Sequence, residues 1–433
     1  MAAAAAAAAG PVLWRRLLGL LPGRPGLAAL LGRLSDRLGR NRDRRRRRSP
    51  WLLLAPLLSP TVPQVTSPPC CLCPEGVHRF QWIRNLVPEF GVCSSHVRVL
   101  SSPAEFFELM KGQIKVAKRR VVMASLYLGT GPLEQELVDC LESTLEKSLQ
   151  AKFPSDLKVS ILLDFTRGSR GDRAAYCRAA NKRVMDVINS AKARQQVLHA
   201  QTFHGDSLLT QEDAAAAGDR RPAPDTWIYP LIQMKPFEIQ IDEIVTETLL
   251  TEAERGAKVY LTTGYFNLTQ AYMDLVLGTR AEYQILLASP EVNGFFGAKG
   301  VAGAIPAAYV HIERQFYGEV CSLGQQERVR LQEYWRRGWT FHAKGLWLYL
   351  AGSSLPCLTL IGSPNFGYRS VHRDLEAQIA IVTESRALQQ QLHQEQEQLY
   401  LCSGVVSSAT FEQPSRQVKL WVKMVTPLIK NFF

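Results

Sequence analysis

Residues 342–376 read HAKGLWLYLAGSSLPCLTLIGSPNFGYRSVHRDLE, and this stretch decides the fold. Apolar and aromatic runs at 345–350 and 357–361 flank a Gly352-Ser353-Ser354 turn, the pattern of two strands joined as a hairpin. Such a hairpin brings His342-x-Lys344 and Gly362-Ser363-Pro364-Asn365 to one end of a sheet. The set comprises a nucleophile, a fixed cation and two hydrogen-bonding side chains. Phosphoryl and phosphatidyl transfer calls for that combination, because charge builds on the non-bridging oxygens while a nucleophile attacks phosphorus. Ser363 follows His342 by 21 residues, and Glu376 follows Asn365 by 11.

Upstream of the hairpin the chain repeats itself once. The first copy opens with Ser102-Pro103-Ala104-Glu105, a capping-box pattern, ahead of a helix through Phe106, Leu109 and Met110. A buried strand is expected at 121–128. A helix follows from Gly131-Pro132, with Leu133, Leu137, Leu141, Leu145 and Leu149 at i, i+4, and then a strand at 157–164. The second copy keeps the order: a helix through Ile241, Ile244, Val245 and Leu249, a strand at 259–266, a helix through Tyr272 and Leu275, and a strand at 283–288. The pairs AKRRVVMASLYL/GAKVYLTTGYFN and VSILLD/YQILLA carry the duplication. Mostly apolar strands alternating with helices predict an α/β fold, a sheet covered by helices.

The first copy stops early. Completing it to match the second would take roughly 90 residues after Asp164. After FTRGSRG the text turns instead to DRAAYCRAANKRVMDVI, a helical lead-in to the second copy. No other histidine has a lysine two residues on. The expected organisation is therefore a leader at 1–50, a Pro-rich linker at 51–77, a truncated first repeat at 78–171 and a complete second repeat at 172–433.

Charge is concentrated at the start of the chain. Residues 1–50 hold 12 Arg and two Asp, a net +10, whereas the whole chain carries +12. The body keeps only +2, too little for the basic face that nucleic-acid binding needs. The leader has no acid before Asp36 and mixes Arg with Leu, the composition of a mitochondrial transit peptide. Residues 49–74 carry no charge, but seven prolines from Pro50 to Pro74 exclude a spanning helix. Nine scattered cysteines fit a reducing compartment, and Cys70-Cys71-x-Cys73 has no partner pair at zinc-site spacing.

The HxK…GSxN pattern resembles the phospholipase D superfamily, in which this histidine forms a phosphohistidine. One departure stands out: the acid usual five residues after the lysine is Tyr349 here. The Arg-rich leader, PEGVHRFQWIRNLVPEFGV, TTGYFN, GWTFHAKGLW and GSPNFGYRS together resemble, over nearly the whole chain, the mitochondrial phosphatidylglycerophosphate synthase family within it. The resemblance implies a duplicated phospholipase D-like α/β fold and transfer of a phosphatidyl group from CDP-diacylglycerol to glycerol 3-phosphate. It further implies no metal or other cofactor, no nucleic acid, and peripheral association with the matrix side of the inner membrane. It assigns His342 as nucleophile, Lys344, Ser363 and Asn365 to the phosphate, and Glu376 to the far nitrogen of the His342 ring. Such enzymes carry two HxK motifs, one histidine attacking and the other protonating the leaving group. This chain has one, so impaired activity, a homodimer or pairing with a full-length enzyme is expected. A non-catalytic lipid-binding form and a phosphodiesterase or nuclease remain as alternatives.

Other features are weaker. ASLYLGTG at 124–131, with Gly129, Thr130 and Gly131, could be a nucleotide loop but lacks the P-loop lysine. His199 and His204 do not share a helix face. LQQQLHQEQEQLYL at 388–401 predicts an amphipathic helix. His372 and Arg373 could meet glycerol phosphate, and Trp335, Arg336 and Arg337 lipid head groups.

Overall fold

The computed structural model describes residues 78–125, 131–150, 157–163 and 223–432. The leader, the linker with its cysteines, His199, His204 and the expected break at Gly171/Asp172 lie outside these residues. The chain divides into two compact units, Arg98–Pro222 and a larger one made of Met1–Val97 with Ala223–Phe433. Residues 78–97, expected with the first repeat, thus belong to the larger unit. Phe80 and Ile83 are buried in its core, and Phe90–Val92 pairs with its sheet.

In the smaller unit the helix Pro103–Val116 starts where the capping pattern predicts. The Ser102 hydroxyl accepts from the Glu105 amide at 3.2 Å. The strand Arg120–Ser125, the helix Pro132–Gln150 and the strand Lys158–Leu163 follow, and the two strands pair in parallel. Leu137, Leu141 and Leu145 bury against Ile114 and Val121, as their i, i+4 spacing requires.

The larger unit is built on a ten-stranded sheet. Its strands are β1 Phe90–Val92, β2 Thr226–Met234, β3 Lys258–Thr263, β4 Glu282–Ala288, β5 Val329–Tyr334, β6 Gly345–Tyr349, β7 Leu358–Gly362, β8 Glu376–Thr383 and β9 Ser403–Val405. The spatial order is β1-β2-β8-β7-β6-β3-β4-β5-β9, with the short strand Ile239–Gln240 beside β2. The β3–β4 and β4–β5 pairs are parallel and the others antiparallel. Besides the short helix Ser408–Glu412, the larger unit's α-helices among the described residues are α1 Ile241–Thr251, α2 Gln270–Gly278, α3 Ile305–Ser322, α4 Tyr368–His372, α5 Arg386–Leu401 and α6 Leu420–Ile429.

The run α1–β3–α2–β4 repeats the order and the parallel pairing of the smaller unit. The predicted hairpin is β6–β7, with Leu346 opposite Leu360. β6 is buried along its whole length, as expected of a central strand with no polar face. Residues 388–401 fall in α5, capped by Ser385, and α5 buries Leu388 and Leu392.

This topology gathers four chain segments at one sheet edge. β3 is antiparallel to β6, so the end of β3 meets the start of β6, with Thr262 opposite Gly345. β7 ends there as well, and β8 begins there with Gly362 opposite Gln378.

Candidate active site

His342 and Lys344 lie just before β6, and Ser363 and Asn365 just after β7, so the register of the hairpin sets them side by side. The loop after β3 closes the group. At Gly264 an added Cβ would stand 3.1 Å from the His342 Cα, a tight contact that would push the two backbones apart by a few tenths of an ångström. The Tyr265 ring stands edge-on to the His342 imidazole with centroids 5.3 Å apart, and stacks on Tyr309 of α3 at the same separation. The Lys344 ammonium lies 6.0 Å from the Tyr265 centroid and donates to the His342 carbonyl at 2.8 Å.

The GSPN loop is stitched to the loop after β3. The Thr263 hydroxyl donates to the Asn365 carbonyl at 2.9 Å, and the Thr269 amide donates to the Phe366 carbonyl at 3.2 Å. Leu268 and Gly367 form a bridge. Phe366 has φ 56°, a left-handed conformation that a bulky residue adopts only when its surroundings impose it. The strain is held by burial of the Phe366 ring against Tyr272. The Asn365 side-chain carbonyl is buried without a partner, an unmet hydrogen-bonding atom at the site.

Electrostatics favour nucleophilic attack. His342 is solvent-exposed, yet the protein crowded around its ring, together with the Lys344 charge, pushes its pKa down to about 4. The imidazole is therefore neutral at physiological pH, with a lone pair available. Burial lowers Lys344 to about 8, with Glu376 opposing, so it is still largely cationic at pH 7. A weakly solvated ammonium beside a neutral imidazole is a good seat for a phosphate diester.

Two residues differ from their expected roles. Glu376 accepts from the Ser363 hydroxyl and not from the His342 ring. The reason is register: Glu376 opens β8, which pairs with β7, whereas His342 precedes β6, one strand further on. Burial raises the Glu376 pKa, and its hydrogen bonds from Ser363 and Ser370 oppose the rise. With its proton directed at Glu376, Ser363 orients that carboxylate in the free site, and it also accepts from the Ala377 amide at 3.2 Å. Tyr349, which replaces the usual acid, is buried. Its hydroxyl bonds His393 Nδ1 and Gln396 Oε1 of α5, both at 3.0 Å, so it braces the hairpin from outside the site.

Tyr265, Gly264 and Asp242 were not singled out from the sequence. Asp242 is buried behind Glu376 and accepts from Gln378. Burial raises its pKa to about 6, with the Glu376 charge adding to the rise. Arg373 packs its guanidinium over Phe432 at 4.1 Å, and the His372 ring lies tilted against Tyr368 with centroids 4.3 Å apart. Gly131 opens the helix of the smaller unit, while Gly129 and Thr130 lie outside the described residues.

Comparison with known proteins fits this geometry. No family model matches the chain. A Homo sapiens protein named mitochondrial CDP-diacylglycerol–glycerol-3-phosphate 3-phosphatidyltransferase is 74% identical over 556 residues, covering 100% of both chains. The chain belongs to the CDP-diacylglycerol–glycerol-3-phosphate 3-phosphatidyltransferase family. The Gallus gallus member is 62% identical, over 99% of this chain and 100% of its own. The phosphatidyltransferase of Saccharomyces cerevisiae is 25% identical over 80% of this chain and 90% of its own. The alignment with the human phosphatidyltransferase spans 556 positions and this chain has 433 residues, so at least 123 positions face no residue here. Among solved structures, Haemophilus influenzae phosphatidylserine synthase superposes with a TM-score of 0.60 at 16% identity, over 83% of this chain and 100% of its own. That likeness shows a shared fold, an α/β architecture of one large sheet with helices.

Proposed function

We propose that this chain transfers a phosphatidyl group from CDP-diacylglycerol to glycerol 3-phosphate, releasing CMP and forming phosphatidylglycerophosphate, as the names of its relatives state for them. The observation that carries the reading is the neutral His342 imidazole held beside the Lys344 ammonium at the sheet edge.

His342 attacks the phosphorus that carries the diacylglycerol, and the bond to the CMP oxygen breaks. The phosphatidyl group then sits on the imidazole nitrogen, and Lys344 offsets the charge on the non-bridging oxygens. The free primary hydroxyl of glycerol 3-phosphate attacks the same phosphorus and displaces His342, losing its proton to a base. Asn365 stands where its unmet carbonyl oxygen can accept from a substrate hydroxyl. The protein supplies position and fixed charge, which is most of what this chemistry requires.

Departing CMP needs a proton, and the family supplies it with a second histidine. The proposal includes an absent segment in the first repeat, and a chain that is slow alone and gains from a second copy or a longer form; at least 123 positions of the human alignment face no residue here, wherever in the chain they fall. The Arg-rich leader, with no acid before Asp36, and the mitochondrial names of the relatives support import into mitochondria. Among the described residues no helix is long and apolar enough to cross a membrane, and the proposal places the chain peripherally on the matrix side of the inner membrane. The test is production of phosphatidylglycerophosphate and CMP from the two substrates by the purified chain. Wild-type formation that disappears in His342→Ala supports the reading, and no formation by the wild-type chain at any concentration rejects it.

A further inference from the structure

The C-terminal helix α6 turns a row of large apolar side chains outward. Leu420, Trp421, Met424 and Leu428 are 72%, 45%, 62% and 51% exposed, while Val422 and Thr426 bury on the opposite face. A helix that is apolar on both its packed and its open side is out of place in water. From Pro414 to the end, the chain carries Arg416, Lys419, Lys423 and Lys430 and no acid. Lys419 and Lys423 are exposed beside the apolar row.

The helix is fixed next to the site. It packs on α3, which also holds Tyr309 against Tyr265. The segment after it reaches both site loops: the Asn267 amide donates to the Lys430 carbonyl at 2.6 Å, and Phe432 lies under Arg373. Two further loops at the same sheet edge carry exposed aromatic residues, Phe296 after β4 and Trp335 and Trp339 after β5. Gly294 and Thr340 bring these loops together beside Tyr265.

We infer that α6, with the aromatic tips of these two loops, is the surface by which the enzyme docks on an anionic bilayer, placing His342 over the head-group layer that holds its lipid substrate. The inference rests on the phosphatidyl-transfer reading for the identity of that substrate. Charge selects the occupant. A second copy would set Lys419 and Lys423 against their own kind, whereas acidic head groups complement them. A partly apolar helix with flanking lysines lies in the interface plane, its apolar side chains among the acyl chains and its cations at the phosphates.

The test compares the full chain with W421E/M424E by co-sedimentation with vesicles of phosphatidylcholine, alone or doped with phosphatidylglycerol. The double variant is expected to lose vesicle affinity by about tenfold or more and to lose activity on vesicle-borne CDP-diacylglycerol in parallel. Activity on a short-chain, water-soluble CDP-diacylglycerol should be unchanged, which also shows the variant to be folded. L401E, at an equally open leucine at the end of α5, should bind as wild type. K419S/K423S should narrow the preference for doped vesicles. Wild-type binding by W421E/M424E, an equal loss in L401E, an unchanged preference in K419S/K423S, or a change in oligomeric state in place of vesicle binding would each overturn the inference. If no form acts on the soluble substrate, the transfer reading fails, while sedimentation still decides docking.

Discussion

The Tyr265 ring meets the His342 imidazole edge-on, 5.3 Å between centroids, across a gap of 77 residues in sequence. Tyr265 is itself stacked on Tyr309, so the orientation of the nucleophile is inherited from α3 through two aromatic contacts. Removing the ring by Tyr265→Ala should lower kcat by about 10²-fold, the usual scale for a nucleophile displaced by an ångström. Tyr265→Phe, which keeps the ring, should lose much less. Steady-state kinetics on both variants checks this, and equal losses would mean that the hydroxyl, not the ring, is the working part.

Gly264→Ala should behave like Tyr265→Ala, because the new Cβ pushes on the His342 backbone. Its thermal melting should change little compared with its activity. A variant that unfolds instead would show that the contact serves the fold more than the site.

The two site pKa values predict the pH profile. The free enzyme needs neutral His342 and charged Lys344, so kcat/KM should hold a plateau and fall below about pH 4 and above about pH 8. Bound phosphate favours the ammonium, so the alkaline limb of kcat should lie at higher pH than that of kcat/KM. Lys344→Arg should abolish the alkaline limb of kcat/KM near 8, since guanidinium does not titrate there. A limb that persists near 8 in Lys344→Arg belongs to another group.

Much of this site could be read from the chain, because its central part is local. His342, Lys344, Ser363 and Asn365 lie on one hairpin, and a hairpin's register follows from its own strands and turn. The α/β repeat was legible for a similar reason: its helices show i, i+4 leucines and its strands are apolar runs. Tyr265 and Asp242 were not legible, because their positions depend on which strands become neighbours, and β3 pairs with a strand more than 80 residues downstream. Glu376 shows the same limit. Its spacing from Asn365 was clear, but its partner is set by strand order, which gives it Ser363 in place of the His342 ring. Residues 78–97 were expected with the first repeat, yet their apolar side chains complete the larger core.

Buried Asp242 should weaken the fold near neutrality. Its pKa is raised to about 6, so the folded state holds a proton that the unfolded chain releases at lower pH. Stability from this group is fully present below the ordinary aspartate range and is lost as pH rises through about 6. Asp242→Asn keeps an acceptor for Gln378 and carries no charge. It should stabilise the chain at pH 7 by an amount on the order of 2 kcal/mol and flatten the pH dependence between about 4 and 6. Chemical denaturation across that range checks it, and a lower stability at every pH would contradict it.

A second histidine should matter most for leaving-group protonation. Inserting an HxK-bearing segment after Gly171, sized to the 123 positions by which the human alignment exceeds this chain, should raise the rate of phosphatidylglycerophosphate formation by about 10²–10⁴-fold. If the short chain already matches the restored one, a dilution series separates the causes, because a dimer that shares histidines loses specific activity on dilution.

The most direct test of the account is isotope exchange between labelled CMP and CDP-diacylglycerol without glycerol 3-phosphate. Exchange requires only the first half-reaction, in which His342 takes the phosphatidyl group and gives it back. The account predicts exchange with the wild-type chain, none with His342→Ala, and near-normal exchange with Tyr349→Phe, whose hydroxyl faces α5 and not the site. Exchange that survives in His342→Ala would place the nucleophile elsewhere and contradict the account.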